Sequence, residues 1–379
     1  MRDWNSLRQL FPVTENYIYL NHAGVSPLST HTRSAMETFL KETTENGYAN
    51  SQMWAETIES CRQSAAKLIN ADPDEIAFVK NTTQGIILTA NGINWKAGDN
   101  VITTNVEFPS NIYPWWNLER YGVETRLAQE VNKRISVEDI VAKIDSRTRI
   151  ITISHVEFAS GYRNDIATIG KICRDREILF FVDAIQTLGA FEVDVKKQHI
   201  DFLSADGHKW LLGPEGAAIY YCSKNKLNQL TNTNIGWASV VDELFFSEYN
   251  LTQKPTARRF EEGSYNTVGL FGLKAAIGLL LEIGILHIER RILDLTQYLI
   301  KNLSNQGYEI LSPVENESER SGIVIFRSNK LSPSMLFELF QESDISCATR
   351  GGGIRLSPHF YNSKTEIDTV TDILSSVAN

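Results

Sequence analysis

Cysteine is scarce in this chain: Cys61, Cys173, Cys222 and Cys347 are the four among 379 residues, and no two form a CxxC pair. That spacing removes support for a metal site or a disulfide framework, and each thiol reads as a small buried apolar group. Long apolar runs are lacking too. The longest, residues 275–288, is interrupted by Glu282 and is too short to span a bilayer, so no membrane contact is expected. The opening stretch MRDWNSLRQLFPVTENYIYL has no unbroken apolar core of the kind a secretory leader needs, which makes a cytoplasmic location the expectation. Positive charge is also in short supply, with 37 Lys and Arg against 46 Asp and Glu and a formal net charge of -9. An acidic balance disfavours a broad contact with a phosphate backbone, so nucleic acid is not the expected partner. A local basic pocket for a small anion stays open. No internal repeat, low-complexity tract or long linker is present.

What is there is an ordinary globular composition, 42% hydrophobic and 22% charged. The length suggests one large domain plus a smaller one. Strand patterns at residues 75–79, 100–104, 149–154, 178–182, 202–205 and 216–221 alternate with helical stretches such as 136–144 and 166–176. This alternation predicts crossover units and an α/β fold, a mainly parallel sheet with helices on both faces. The ILFFV run at 178–182 is apolar throughout, as a strand buried on both faces should be. Near Thr267 the pattern changes to a long apolar helix over 268–283, a charged helix, short strands such as 323–326 and a closing helix from Lys364. We therefore expect a large α/β domain over residues 15–266, with residues 1–14 and 267–379 forming a small α+β domain.

The chemistry is carried by residues far apart in sequence. In DFLSADGHKWLLGPEG, residues 201–216, Lys209 follows a predicted strand and meets a glycine-rich turn. An isolated His-Lys pair at a turn is more often a surface lysine; in a partly desolvated cleft the same amine has a lowered pKa and forms a Schiff base. Asp183, in FVDAIQTLGA, stands at the C-terminal end of the ILFFV strand, where open α/β sheets collect their ligands. A carboxylate and a lysine brought together there are the pair that pyridoxal 5'-phosphate needs, one for its pyridine nitrogen and one for its aldehyde. Gln186 could donate to the ring O3′, although alone it reads as a polar turn residue. Asn81-Thr82-Thr83-Gln84 opens an apolar helix after a strand, an anion-binding start to which His208 could add a donor. Plain N-capping would need only one threonine. Phe108, before a proline, could stack on the ring or pack in the core. Arg355, in RGGGIRLSPHFYN, has the fork that matches an α-carboxylate, or forms a salt bridge within the small domain. The GGG run lacks the strand–GxGxxG–helix setting of a phosphate loop.

Taken together, from Tyr19-Leu20-Asn21-His22-Ala23 to Glu366-Ile367-Asp368, these motifs resemble the class V aminotransferase family, which includes cysteine desulfurases, kynureninases, isopenicillin N epimerase-like proteins and C–S lyases. The resemblance implies fold type I of the pyridoxal phosphate enzymes, a homodimer with active sites at the subunit interface, and a small amino-acid substrate. It implies Lys209 as the Schiff-base lysine, Asp183 as the ring-nitrogen partner and Gln186 as the O3′ contact. Thr82, Thr83 and His208 would be phosphate ligands and Phe108 the stacking group. Ser264, in RFEEGSYN where a threonine is usual, would reach the neighbouring subunit's phosphate. Arg355 would grip the substrate carboxylate, with Asn21 and His22 bordering the substrate.

Departures from the family pattern bear on the reaction. The loop that carries a desulfurase's nucleophilic cysteine is nearly missing, since only Gly351-Gly352-Gly353-Ile354 separate Arg350 from Arg355. Cys347 falls on the strand before it and reads as structural. Phe108 stands where a desulfurase has its stacking histidine, Phe158 where an asparagine is usual, and Asp206 where a serine commonly helps hold the phosphate. An anion beside a phosphate is costly unless turned away or paired. A β-cleaving lyase is thus the leading expectation, with aminotransferase, epimerase and desulfurase-like chemistry as alternatives from the same Cα carbanion. A catalytically silent protein of this fold, or an α/β enzyme for another phosphate compound, are the readings of other classes.

Overall fold

The alternating apolar runs fold into a central sheet whose carboxyl edge collects the residues singled out above. The computed structural model describes residues 3–378. Seven strands form the large sheet: β1 (Ile76–Val79), β2 (Asn100–Thr104), β3 (Glu124–Ala128), β4 (Thr148–Ser154), β5 (Leu179–Asp183), β6 (Phe202–Asp206) and β7 (Ala218–Cys222), in the order β1-β7-β6-β5-β4-β2-β3. All neighbours from β3 to β6 are parallel, and β7 runs antiparallel to both β6 and β1. The interior strands β2, β5, β6 and β7 are buried along their whole length, as strands covered on both faces must be. The expected strand positions shift by one or two residues at their ends. The expectation omitted β3, whose ETRLA sequence is polar because it is an edge strand paired on one side only.

Helices cover the sheet. α1 (Thr30–Asn46) and α2 (Ser51–Leu68) precede it, α3 (Thr82–Gly92) follows β1, and α4 (Ile166–Asp175) buries Ile166, Ile169 and Cys173 at helical spacing. Close approach of α3 to β6 depends on Gly85, because a Cβ there would fall 2.4 Å from Ser204 Oγ. The long helix α5 (Thr267–Ile283) packs on α1 and α2 and shares one core with the large sheet. A separate core begins in the second half of α6 (Ile285–Asn305), with Leu295, Leu299 and Leu303. The expected boundary at 267 therefore falls at the start of a helix that adheres to the large layer.

The second core lies between α6, α7 (Pro333–Glu342), α8 (Lys364–Ala378) and an antiparallel four-stranded sheet: β8 (Glu309–Ile310), β9 (Val324–Arg327), β10 (Ala348–Arg350) and β11 (Gly353–Leu356), in the order β10-β11-β9-β8. The N-terminal segment docks on this end of the chain. Phe11 stacks on Tyr361 at 3.9 Å, Arg8 pairs with Glu366 at 2.8 Å, and residues 18–19 pair in parallel with 345–346. Among the described residues no single helix is long and apolar enough to cross a membrane.

Candidate active site

A cavity of about 430 Å³ opens where the carboxyl ends of β5 and β6 meet the start of α3 and the β10–β11 hairpin. Asp183 is the last residue of β5, is 2% exposed, and accepts the Ile185 N–H at 3.0 Å. Burial pushes its carboxyl up to about 6, opposed by that N–H and by Lys209. Lys209 lies in the turn after β6. Burial lowers its amine to about 8, against the pull of Asp183 and with a smaller push from Arg355. Its Nζ stands 5.8 Å from the centre of the Phe108 ring. The lysine is thus largely out of water and faces a carboxylate, an aromatic face and a second cation.

Thr82 and Thr83 form the first turn of α3, capped by the Asn81 side chain on the Gln84 N–H at 2.9 Å. Thr82 Oγ1 accepts the Asp206 N–H at 3.0 Å and keeps its own proton to donate; Thr83 Oγ1 donates to Ser110 Oγ at 2.8 Å. Asp206 is turned toward its own backbone, accepting the Gly207 N–H at 2.7 Å, and His208 Nδ1 stands 3.0 Å away without the alignment of a hydrogen bond. His208 lines the cavity with them. Gln186 is held at both ends, donating to Ala23 O at 3.1 Å and accepting from Trp210 Nε1 at 2.9 Å, which leaves one amide hydrogen toward the cavity it lines.

Arg355, on β11, is 3% exposed and has no carboxylate partner among the described residues. Its Nη1 donates to Phe158 O at 3.1 Å, while its Nε is buried with no partner. Burial, and then Arg350, lower its guanidinium to about 10. Phe108 and Phe158 pack edge to face at 5.2 Å, and both line the cavity.

Three expected site residues lie elsewhere. His22 is wholly buried with both ring nitrogens engaged, Nδ1 with Ser357 O at 2.7 Å and Nε2 with Tyr361 OH at 2.6 Å. Its role is that of a core tie between the N-terminal segment and the end of the chain, a correction to the expected substrate border. Asn21 sits behind the same turn, its carboxamide against Gly24, and does not line the cavity; Ala23, Gly24 and Val25 do. Ser264 lies in a separate depression with Lys80, Gln84 and Glu262, outside the cavity of its own chain. Conversely, Arg350 and Ser110 line the cavity and were not singled out from the sequence. Arg350 shares a hairpin face with Arg355, since Ala348 pairs with Arg355 and side chains alternate. No cysteine lines the cavity among the described residues. Cys347 is buried in the second core, and burial pushes its thiol up to about 12.

Comparison with known proteins gives concordant results. The profile of the family described as Aminotransferase class-V matches residues 18–370. A probable cysteine desulfurase of Methanothermobacter thermautotrophicus is 30% identical, over 98% of this chain and 97% of its own. The apo structure of a cysteine desulfurase from Thermococcus onnurineus superposes with a TM-score of 0.91 at 28% identity, covering 100% of this chain and 98% of that one. A cystine C-S lyase solved with its product cysteine persulfide shares the fold, with a TM-score of 0.88 at 24% identity over 96% of this chain and 99% of the other.

Proposed function

The chain belongs to the class V aminotransferase family, and from that premise we propose that it cleaves the β-substituent from a small α-amino acid, as a cysteine or cystine C–S lyase does. It is a pyridoxal-phosphate-dependent enzyme of fold type I. The residues around the cavity suit that cofactor: a buried carboxylate, a desolvated amine, a helix start with free donors, and a buried guanidinium lacking a counter-ion. In this reading Asp183 would pair with the ring nitrogen and Lys209 with the aldehyde. Gln186 would meet O3′, Phe108 would stack on the ring, and Thr82, Thr83 and His208 would hold the phosphate. Arg355 holds the substrate carboxylate. When bound, the cofactor supplies an electron-withdrawing ring that stabilises negative charge at Cα. Lys209, with its amine lowered to about 8, is suited to take the Cα proton near neutral pH, and Asp183 keeps the ring nitrogen protonated. Phe108, which is 44% exposed, and Phe158 give the cavity an aromatic wall.

The observation that carries the lyase branch is the lack of any cysteine on the cavity among the described residues. A sulfur leaving Cβ finds no protein thiol to receive it, so it departs with the product. The names of the relatives favour a second reading, cysteine desulfurase-like sulfur transfer. Transamination and epimerisation use the same first proton transfer. A homodimer is part of the proposal. Ser264 lies off its own cavity, and Trp237, Phe245, Phe246 and Tyr249 form an exposed apolar patch near it in sequence that a second copy would cover. Sedimentation of the holoenzyme tests that part, with a monomer at micromolar concentration counting against it.

The decisive experiment incubates the holoenzyme with cysteine and cystine and follows pyruvate, sulfide, alanine and protein-bound sulfur. The lyase reading expects pyruvate with sulfide or cysteine persulfide in solution. Alanine together with sulfur on a protein thiol would instead establish desulfurase chemistry, and a pyridoxamine form of the cofactor would establish transamination.

A further inference from the structure

Below the cavity three carboxyl groups crowd together. Glu107, on the loop after β2, accepts the Ser154 N–H at 2.6 Å through Oε1 and the Ser154 hydroxyl at 2.6 Å through Oε2. Ser154 ends β4 and stands in register beside Asp183 on β5. Glu157 lies just beyond that strand end and is 1% exposed. Its Oε1 accepts Asn164 Nδ2 at 2.9 Å, and the same amide reaches Ser154 O at 2.9 Å. Its Oε2 is buried with no partner. Neither glutamate has an ion-pair partner among the described residues.

The two glutamates are therefore unlike. Glu107 receives two donors, which suit an anion. Glu157 has one donor and a bare buried oxygen, which suits a neutral acid, since an ionised oxygen without donors or counter-ion is the costly state in a dry interior. The neighbouring carboxyl groups act in the same direction. Burial raises Glu157 well above the ordinary carboxylate range, followed by Glu107; the Asn164 amide opposes the shift, and Asp183 and Glu130 add to it. Glu107 is raised to about 7 by burial, opposed by its two Ser154 donors, with Asp183 adding to the shift. His155 is beside them but stays neutral, its ring lowered to about 3 by burial and by Arg163. Arg163 is itself paired with Glu289 at 3.1 Å, and Lys209 acts on Asp183.

We propose that Glu157 keeps its proton throughout the neutral range and serves as a positioning residue for Asp183, which ionises before it. The neutral Glu157 spares Asp183 a second buried anion, and Asp183 is left to carry the negative charge that the ring nitrogen meets. This consequence rests on the assignment of Asp183 to that nitrogen; the retained proton does not.

Carboxyl-labelled holoenzyme provides the test, with 13C in glutamate and aspartate and the un-ionised acid followed by infrared and magnetic resonance. At about pH 8, where an ordinary glutamate is fully ionised, wild type should show a neutral glutamic acid. E157Q should lose it and E107Q should keep it. On titration the signal lost in D183N should ionise at lower pH than that lost in E157Q. Thermal unfolding supplies a second readout. The folded chain holds a proton that the unfolded chain releases, so the wild-type midpoint should fall as pH rises from about 5 to about 8, and E157Q should flatten that fall. No neutral glutamic acid in wild type at that pH, its persistence in E157Q, or ionisation of Asp183 after Glu157 would overturn the proposal. The first of these is read on wild type alone and survives a failure of the variants to fold. Loss of absorbance near about 420 nm with the neutral acid intact would instead count against the cofactor assignment.

Discussion

Arg355 donates from Nη1 to the backbone carbonyl of Phe158 at 3.1 Å, and its guanidinium makes no other hydrogen bond to the described residues. A single neutral carbonyl fixes the direction of the fork without neutralising it. What remains is a buried cation, its Nε unpartnered, pointing at a cavity shared with Lys209. An α-carboxylate would satisfy both the charge and the free donors. Arg355→Gln should therefore raise KM for the amino acid by about 10–100-fold, the range that losing a hydrogen bond to a charged group covers. Cofactor absorbance should stay. Arg355→Lys should recover little, because an ammonium lacks the fork. Steady-state kinetics with an unchanged KM in Arg355→Gln would remove the carboxylate assignment.

The Lys209 amine has a pH signature. Burial is the largest influence and lowers it to about 8, whereas Asp183 raises it. Its neutral, nucleophilic form thus grows as pH rises toward that value. Capture of added pyridoxal phosphate by apoprotein, trapped with borohydride, should increase about tenfold per pH unit below about 8 and level off above it. A surface lysine would keep climbing toward 10.5. Lys209→Ala should trap none at this site by peptide mapping.

Strand ends were the legible part of the site. Asp183, Lys209 and Thr82 each sit where a strand hands over to a turn or helix, and apolar runs beside polar punctuation mark such places. Contacts made across hundreds of residues were not legible. His22 is tied by Ser357 and Tyr361, 335 and 339 residues away, and only the docked N-terminal segment shows that its nitrogens are already engaged. Arg350 reached the cavity because Gly351 and Gly352 adopt φ of +61° and +87° and fold β10 tightly back on β11, a register that RGGGIR does not reveal. The helix 267–283 is apolar enough to begin a domain, yet its partners α1 and α2 lie at the other end of the sequence. For β3, edge position outweighed pattern.

Cys347 should be dispensable for chemistry. It lies in the second core, and burial pushes its thiol up to about 12, so thiolate is scarce at neutral pH. Cys347→Ala should release sulfide from cysteine at a rate near that of wild type and cost about 1 kcal/mol of stability, the usual scale of a core truncation this small. Alkylation of the native enzyme during turnover should leave Cys347 unlabelled. Loss of sulfide release in the variant, with its fold and cofactor intact, would restore the desulfurase reading.

Glu261 holds the segment that carries Ser264, and its removal should be costly. Its Oε1 accepts Arg62 Nη1 at 2.7 Å and the Phe78 N–H at 2.8 Å, and its Oε2 accepts Arg62 Nη2 at 3.2 Å and Tyr265 OH at 2.7 Å. Arg62 also donates to Ile76 O at 2.7 Å, and both charged side chains are 1% exposed. Breaking such a pair leaves Arg62 buried with only Glu59 Oε2, at 3.3 Å from its Nε, as a counter-ion, so Glu261→Ala should lose about 3 kcal/mol in urea unfolding. Replacing both partners with apolar residues of similar size should cost far less, because the desolvation of both ions disappears with them. If Ser264 reaches a second subunit, Glu261→Ala should also dissociate the dimer at higher protein concentration than wild type. A stable Glu261→Ala would mean that water replaces the carboxylate at β1 and that this ion pair does not anchor the segment.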